Sequence, residues 1–226
     1  MPKPGETCYT CDAPAVSDDH IPAKCLFPEP RPANLQLITV PSCNEHNHER
    51  GGDDDYFRLI MTTTSADEPA AERWIDKKVL TYLKRNPEFL KKFLAGSIPK
   101  VPVTTPSGIF LEYRPAFTYD RPRLQKVVDA IARGLWFHEN KRQLPQEVPV
   151  WPFAMNPLWT DGYAEIVPRL PIYKSVDGTF LYRMGYYEKD RTCSLIVLMF
   201  YGRTVLVTGT GDVREAASEV ETATPE

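Results

Sequence analysis

Two short ligand pairs bracket an acid–imidazole dipeptide in the first fifty residues of this chain. Cys8-x-x-Cys11 opens the set and Cys43-x-x-His46 closes it; Asp19-His20-Ile21-Pro22 lies between them and Asn47 follows directly. Thiolate and imidazole bind Zn²⁺ strongly, and a two-residue gap lets one tight turn present both members of a pair. The spacing therefore predicts one tetrahedral zinc site from Cys8, Cys11, Cys43 and His46, with His48 as the alternative to His46. The segment is proline-rich with few other means of ordering itself, so metal binding would supply folding free energy. The residues between the pairs offer different chemistry. Histidine can take a proton from water, and Asp and Asn side chains are oxygen ligands suited to a hard divalent ion.

These groups need elements to hold them. Leu35–Val40 reads as a short strand running into Pro41 and the second pair, which would then sit on a turn that opens a helix carrying Asn47. Residues 1–60 form this module, and 61–99 read as helical. There Ser65 is a candidate cap with Glu68 as its capping-box partner, and Trp74, Val79, Leu80 and Leu83 give an apolar face. Pro87 breaks the run, and Phe89, Leu90, Phe93 and Leu94 continue in a second short helix. Residues 100–212 read as a mixed, strand-rich domain, and 213–226 as a polar tail. Asp120 caps a helix with Pro122 in its first turn and Leu124, Val127, Val128, Ile131, Leu135 and Trp136 on one face. Phe180–Tyr187, Cys193–Tyr201 and Val205–Thr208 follow as strands, separated by turns at Asp177-Gly178, Lys189-Asp190 and Gly202, which predicts an antiparallel meander. The fold class expected is α+β.

Bulk properties narrow the function classes. The chain has 226 residues, 42% of them hydrophobic and 25% charged, enough for a packed core. A net charge of -3 argues against unspecific coating of nucleic acid, though not against a local basic face. The sequence offers no run long and apolar enough for a membrane span and opens without a signal-like segment, so a cytoplasmic setting is expected, with clustered Cys and His read as metal ligands and not disulfides. Cys25 and Cys193 sit among large apolar residues and read as core. Asp53, Asp54 and Asp55 read as a solvated turn. The many aromatics after residue 100 read as core. Arg114, Arg121, Arg123, Arg133, Lys141 and Arg142 read as a solvated helix face, and His138 as a cation at a helix C-terminus. No nucleotide fingerprint or phosphate loop is present; the larger domain could recognise substrate, oligomerise or bind a partner.

The module resembles the HNH nucleases, also called ββα-metal or His-Me finger nucleases, in their zinc-bound treble-clef form. The matching text is Cys8-x-x-Cys11, Asp19-His20-Ile21-Pro22-Ala23-Lys24, Leu26-Phe27-Pro28, Asn34-Leu35, Val40-Pro41-Ser42-Cys43, His46-Asn47 and Asp54-Asp55-Tyr56-Phe57-Arg58, about the first quarter of the chain. The resemblance implies a metal-dependent endonuclease that hydrolyses phosphodiester bonds, in DNA before RNA. His20 would be the general base, Asp19 and Asn47 the ligands of a catalytic Mg²⁺ or Mn²⁺ ion, and Asn34 the residue that orients His20. The sequence departs from the family in carrying Cys-x-x-His where a second Cys-x-x-Cys is usual, and in a long Asn34-to-Asn47 gap, which leaves Thr39 or a backbone carbonyl as alternatives for orienting His20. The competing expectations are a non-catalytic zinc module that binds nucleic acid or protein, and a mononuclear zinc hydrolase using Asp19 and His20 as ligands.

Overall fold

Leu124, Val127, Val128, Ile131, Leu135 and Trp136 recur at helical spacing, and all are buried on one face of a long helix, Arg121–Asn140. Asp120 caps it, its carboxylate accepting from the Arg123 N–H at 3.2 Å. Lys141 closes it in the left-handed conformation, its N–H donating to the Phe137 carbonyl at 2.7 Å. A computed structural model describes residues 2, 5–31, 33–48, 50–65, 80–105, 107–156, 167–176 and 178–212. The Glu68 cap partner, Trp74 and Val79 of the expected helix, Asp177 of one expected turn and the 213–226 tail lie outside the described residues.

In chain order the elements are β1 (Ser17–His20), β2 (Thr39–Ser42), α1 (Asn44–His48), α2 (Gly51–Thr64), α3 (Leu80–Arg85), α4 (Pro87–Ala95), β3 (Ile98–Thr104), β4 (Phe110–Ala116), α5 (Arg121–Asn140), β5 (Ala154–Met155), β6 (Ile172–Val176), β7 (Phe180–Tyr186), β8 (Ser194–Phe200) and β9 (Thr204–Thr210). Every sheet is antiparallel. β1 pairs with β2, β3 with β4, and the largest sheet runs β5-β9-β8-β7-β6. The α+β class and the meander of β7, β8 and β9 are as the sequence predicts. β6 and the two-residue β5 add an edge on either side.

α5 packs on one face of the large sheet, where alternate strand residues (Phe180, Tyr182, Met184, Ile196, Leu198, Phe200, Leu206) join its apolar stripe. The opposite face carries a small valine cluster of Val167, Val197, Val205 and Val207. The main core does not stop at the sheet. It continues through Phe57, Ile60 and Met61 of α2 into Leu26, Phe27, Val40 and Tyr9 of the N-terminal module. Phe57 meets Phe200 edge-on at 5.2 Å between ring centroids.

Two expectations change here, and Ser65 gains a partner. The strand expected over Leu35–Val40 forms later, at Thr39–Ser42, where the register with β1 begins at Thr39 opposite His20. The module boundary expected at residue 60 falls inside α2. Ser65 follows the last residue of α2, and its hydroxyl shares a 2.6 Å hydrogen bond with Thr204 at the start of β9; the start of the helix it was expected to cap lies outside the described residues.

Candidate metal centre and adjoining cleft

The first knuckle is folded by its own backbone. The Cys8 N–H donates to the Ala13 carbonyl at 2.9 Å, and the Tyr9 N–H donates to the Pro41 carbonyl at 2.8 Å, which sets Cys8 and Cys11 beside the end of β2. Cys43 follows β2 directly and His46 lies in α1. Four ligand atoms therefore converge within 4.8 Å of one another, from Cys8, Cys11, Cys43 and His46.

A tetrahedral ion with bonds of about 2.3 Å to sulfur and about 2.0 Å to nitrogen needs S···S edges near ~3.8 Å and S···N edges near ~3.5 Å. Cys11 and Cys43 Sγ lie 3.8 Å apart, and His46 Nδ1 lies 3.5 Å from Cys11 Sγ, 3.6 Å from Cys8 Sγ and 3.1 Å from Cys43 Sγ. All five cysteines are free thiols. Burial would raise the Cys8 thiol, but hydrogen bonds from the backbone of Cys43, Thr10 and Cys11 outweigh it and bring its pKa below the ordinary value. Cys11 is pushed up to about 11, by burial first and then by the neighbouring thiols. The set can hold a metal such as zinc, and its four protein ligands leave no open position for a catalytic water. His48 is exposed and is not part of the set.

β1 presents two faces. Asp19 points inward and is only 4% exposed; His20, the last residue of the strand, is half-buried. The inward carboxylate is engaged. Arg50 Nη2 donates to Asp19 Oδ2 at 2.8 Å, and the Tyr9 hydroxyl donates to the same oxygen at 3.3 Å. Arg50 also donates to Asp54 at 3.0 Å, to the Tyr9 hydroxyl at 3.0 Å and to the His46 carbonyl at 3.2 Å, so one guanidinium ties the knuckle, β1, α1 and α2 together. Burial opposes its charge, yet Tyr9, Asp54 and Asp19 raise its pKa further. Burial lifts Asp54 to about 6 against the pull of Arg50.

The acidic run is thus no solvated turn. Asp53, Asp54 and Asp55 start α2 and pair with Arg123, Arg50 and Arg58. Asn47 uses its amide nitrogen, which donates to Ser17 Oγ at 2.8 Å and to the Asp18 carbonyl at 3.4 Å, placing it at the peptide that leads into Asp19.

His20 opens onto a 320 Å³ cleft lined by His20, Lys24, Arg31, Leu35 and Leu37. Burial, followed by Lys24 and Arg31 against Asp19 and Asp18, holds the imidazole below its usual pKa. Asn34 lies on an exposed turn and does not line the cleft. Thr39, by contrast, sits directly across the β1–β2 ladder from His20. The orienting role expected of Asn34 is therefore without support from its position.

Comparison with protein-family models, with curated proteins and with solved structures finds no match to this chain. What the site can do rests on its own residues.

Arg50 was the main residue the sequence did not point to, although its place four residues before Asp54 is the i,i+4 signature of a helical ion pair. The expected basic helix face is also reassigned. Arg133 donates to the carbonyls of Leu144, Pro145, Gln146 and Val148; Arg121 caps the Phe153 carbonyl at 2.6 Å; and Arg142 lies over the Trp136 ring. These cations fasten the loop after α5. No helix among the described residues is long and apolar enough to cross a membrane.

Proposed function

We propose that this chain is a metal-dependent endonuclease of the HNH type, acting on phosphodiester bonds in DNA from a zinc-bound treble-clef frame of the ββα-metal kind. The observation that carries the reading is local to β1 and α1. His20 is biased toward its neutral form at the mouth of a cleft, while Asp19 and Asn47, on the same pair of elements, each keep a side-chain oxygen uncommitted. Both bonds to Asp19 land on Oδ2, leaving Oδ1, and the Asn47 amide spends its nitrogen, leaving its carbonyl oxygen.

Neutral His20 takes the proton from an attacking water. Asp19 and Asn47 would hold a Mg²⁺ or Mn²⁺ ion, which when bound neutralises charge on the phosphate and the leaving oxygen. Arg50 and Tyr9 fix the Asp19 carboxylate through Oδ2. The Cys8, Cys11, Cys43 and His46 set supplies the structural zinc that holds the hairpin against α1. Free thiols throughout suit a reducing, cytoplasmic setting, and the domain beyond residue 100 is available for substrate recognition or self-association.

One observation favours a second reading, a non-catalytic zinc module that binds nucleic acid or protein: the Asp19 carboxylate is buried and already ion-paired. Cleavage of supercoiled plasmid and of single-stranded DNA with added Mg²⁺ or Mn²⁺ separates the two, comparing wild type with His20→Ala and measuring zinc in both. Nicking by wild type that is lost in the variant, with zinc unchanged, is the expected result. An inert wild type holding about one zinc would leave the binding module as the better reading. Loss of zinc from the variant would make His20 a ligand and overturn the division into two metal sites.

A further inference from the structure

The cleft beside His20 differs in charge from the rest of the molecule. The chain carries a net charge of -3, yet the polar side chains lining this cleft are His20, Lys24 and Arg31, with no carboxylate among them. Each is placed by a different local device. His20 ends β1, and the short 3₁₀ turn Lys24–Leu26 raises Lys24 to an exposed position at the rim. Arg31 is anchored from behind: its Nε donates to the Phe27 carbonyl and its Nη2 to the Lys24 carbonyl, both at 3.3 Å. Among the described residues its carboxylate partner is Glu29, at 3.2 Å and 53% exposed, a solvent-side contact of the kind that contributes little. The apolar lining is Leu35 and Leu37, both half-buried on the segment that leads into β2.

We infer that Lys24 and Arg31 form a phosphate-binding subsite for a single nucleic-acid strand, with the leucine wall taking the sugar or base of the same nucleotide. The inference deepens the proposed function and names residues that reading does not use. A guanidinium fixed by two backbone carbonyls is pre-organised to bind a phosphate, and a lysine on the rim adds a mobile point charge. A cleft of 320 Å³ suits one nucleotide of an unpaired strand and not the width of a duplex. The phosphate so held would lie beside the His20 imidazole.

The test is binding of a short fluorescein-labelled single-stranded DNA by the full-length, zinc-loaded chain, measured by anisotropy over a salt series without added Mg²⁺. Wild type is compared with Lys24→Gln and Arg31→Gln, and cleavage is assayed separately with Mg²⁺. Each variant is expected to weaken binding alike across sequences and to flatten the plot of log K against log salt by about 0.7 per lost phosphate contact. Lys24 is exposed, so Lys24→Gln keeps the fold, as zinc content and melting will show, and it decides the matter if Arg31→Gln disturbs its loop.

A mononucleotide should displace the strand at lower concentration than inorganic phosphate does; equal potency would remove the role given to the leucine wall. An unchanged salt slope in Lys24→Gln, or no binding by wild type, overturns the subsite whether or not DNA is cleaved. A flattened slope with no cleavage by wild type keeps the subsite and removes the nuclease.

Discussion

In the five-stranded sheet, Phe180, Tyr182, Ile196, Leu198, Phe200 and Leu206 are fully buried and pack on the stripe of α5. In the N-terminal module the fixed points are of another kind: four metal-ligand atoms, one guanidinium shared by Asp19 and Asp54, and loops running between them. The sheet is ordered by apolar area removed from water, a non-directional force that tolerates substitution of like for like. The module shares the apolar core through Tyr9, Leu26, Phe27 and Val40, but its polar site depends on directional contacts that fail singly. Yet the two are not separate. Tyr201, in the left-handed conformation at the β8–β9 turn, buries its ring and donates its hydroxyl to the Leu26 carbonyl at 2.8 Å, and Ile21 packs against Gly134 of α5. Geometry that carries the candidate chemistry is thus built from polar contacts and then clamped onto an apolar base.

The strongest way to break this comparison is to remove one ligand. Cys43→Ser should abolish tight zinc binding, which in small structural sites supplies on the order of 10 kcal/mol. Elemental analysis should fall from about one zinc per chain toward none. Because the core is continuous, calorimetry should give one transition shifted down as a whole. Two transitions, with the upper one unmoved, would mean that the module and the sheet melt as independent units and that the staple at Tyr201 is weak.

A smaller but still large effect is expected at Arg50. Arg50→Met keeps the apolar stem and removes the charge, leaving Asp19 and Asp54 buried without their cation. Breaking a buried pair in this way typically costs about 3–5 kcal/mol. Denaturant unfolding should report a loss of that order with zinc still bound. A neutral result would mean that the two carboxylates take up protons or reach solvent on their own, and that Arg50 is not what fixes Asp19.

The comparison also explains what could be read from the chain. The candidate ligand set was legible because metal coordination imposes residue type and spacing together, and Cys8, Cys11, Cys43 and His46 converge as that spacing predicts. α5 and β7 were legible because their apolar periods match their burial, and β8 and β9 because short β-branched and apolar runs are bounded by turns. α2 was missed because its first turn reads as an acidic loop; only the partners Arg50, Arg58 and Arg123, two of them local and one 70 residues away, make those aspartates helical. The β3–β4 hairpin was missed because prolines interrupt it and Phe110, Leu111 and Tyr113 stay exposed, so no alternation marks an inner face. The place of Asn34 was not legible because distance along a proline-rich loop carries no register; the ladder sets Thr39 opposite His20.

Gly134 sharpens the comparison at the seam. A Cβ there would meet Ile21 Cγ1 at 2.5 Å and Cδ1 at 2.6 Å, so the residue next to His20 rests directly on the α5 backbone. Gly134→Ala would ordinarily stabilise a helix interior by up to about 1 kcal/mol. Here overpacking should win, for a net loss of about 1–2 kcal/mol. Ile21→Val, which deletes Cδ1, should recover part of it in the double variant. Additive losses would show that Ile21 and Gly134 do not bear on one another.

The smallest effect lies on the sheet side, at the end of α5, and its sign runs against the usual helix-terminus expectation. His138 should gain from the negative end of the helix. Burial, then Lys141 and Lys174, instead lower its pKa, with Glu139 opposing. A histidine whose folded pKa is depressed binds its proton more readily in the unfolded chain. Its stabilising contribution is therefore complete above the ordinary value of 6.5 and is lost as pH falls below it. His138→Gln should flatten that part of the stability profile below pH 6.5 while leaving stability above it nearly unchanged, as read from urea midpoints at a series of pH values. A steeper acid loss in the variant would mean that the imidazolium is favoured after all, and that the helix terminus and Glu139 outweigh the two lysines.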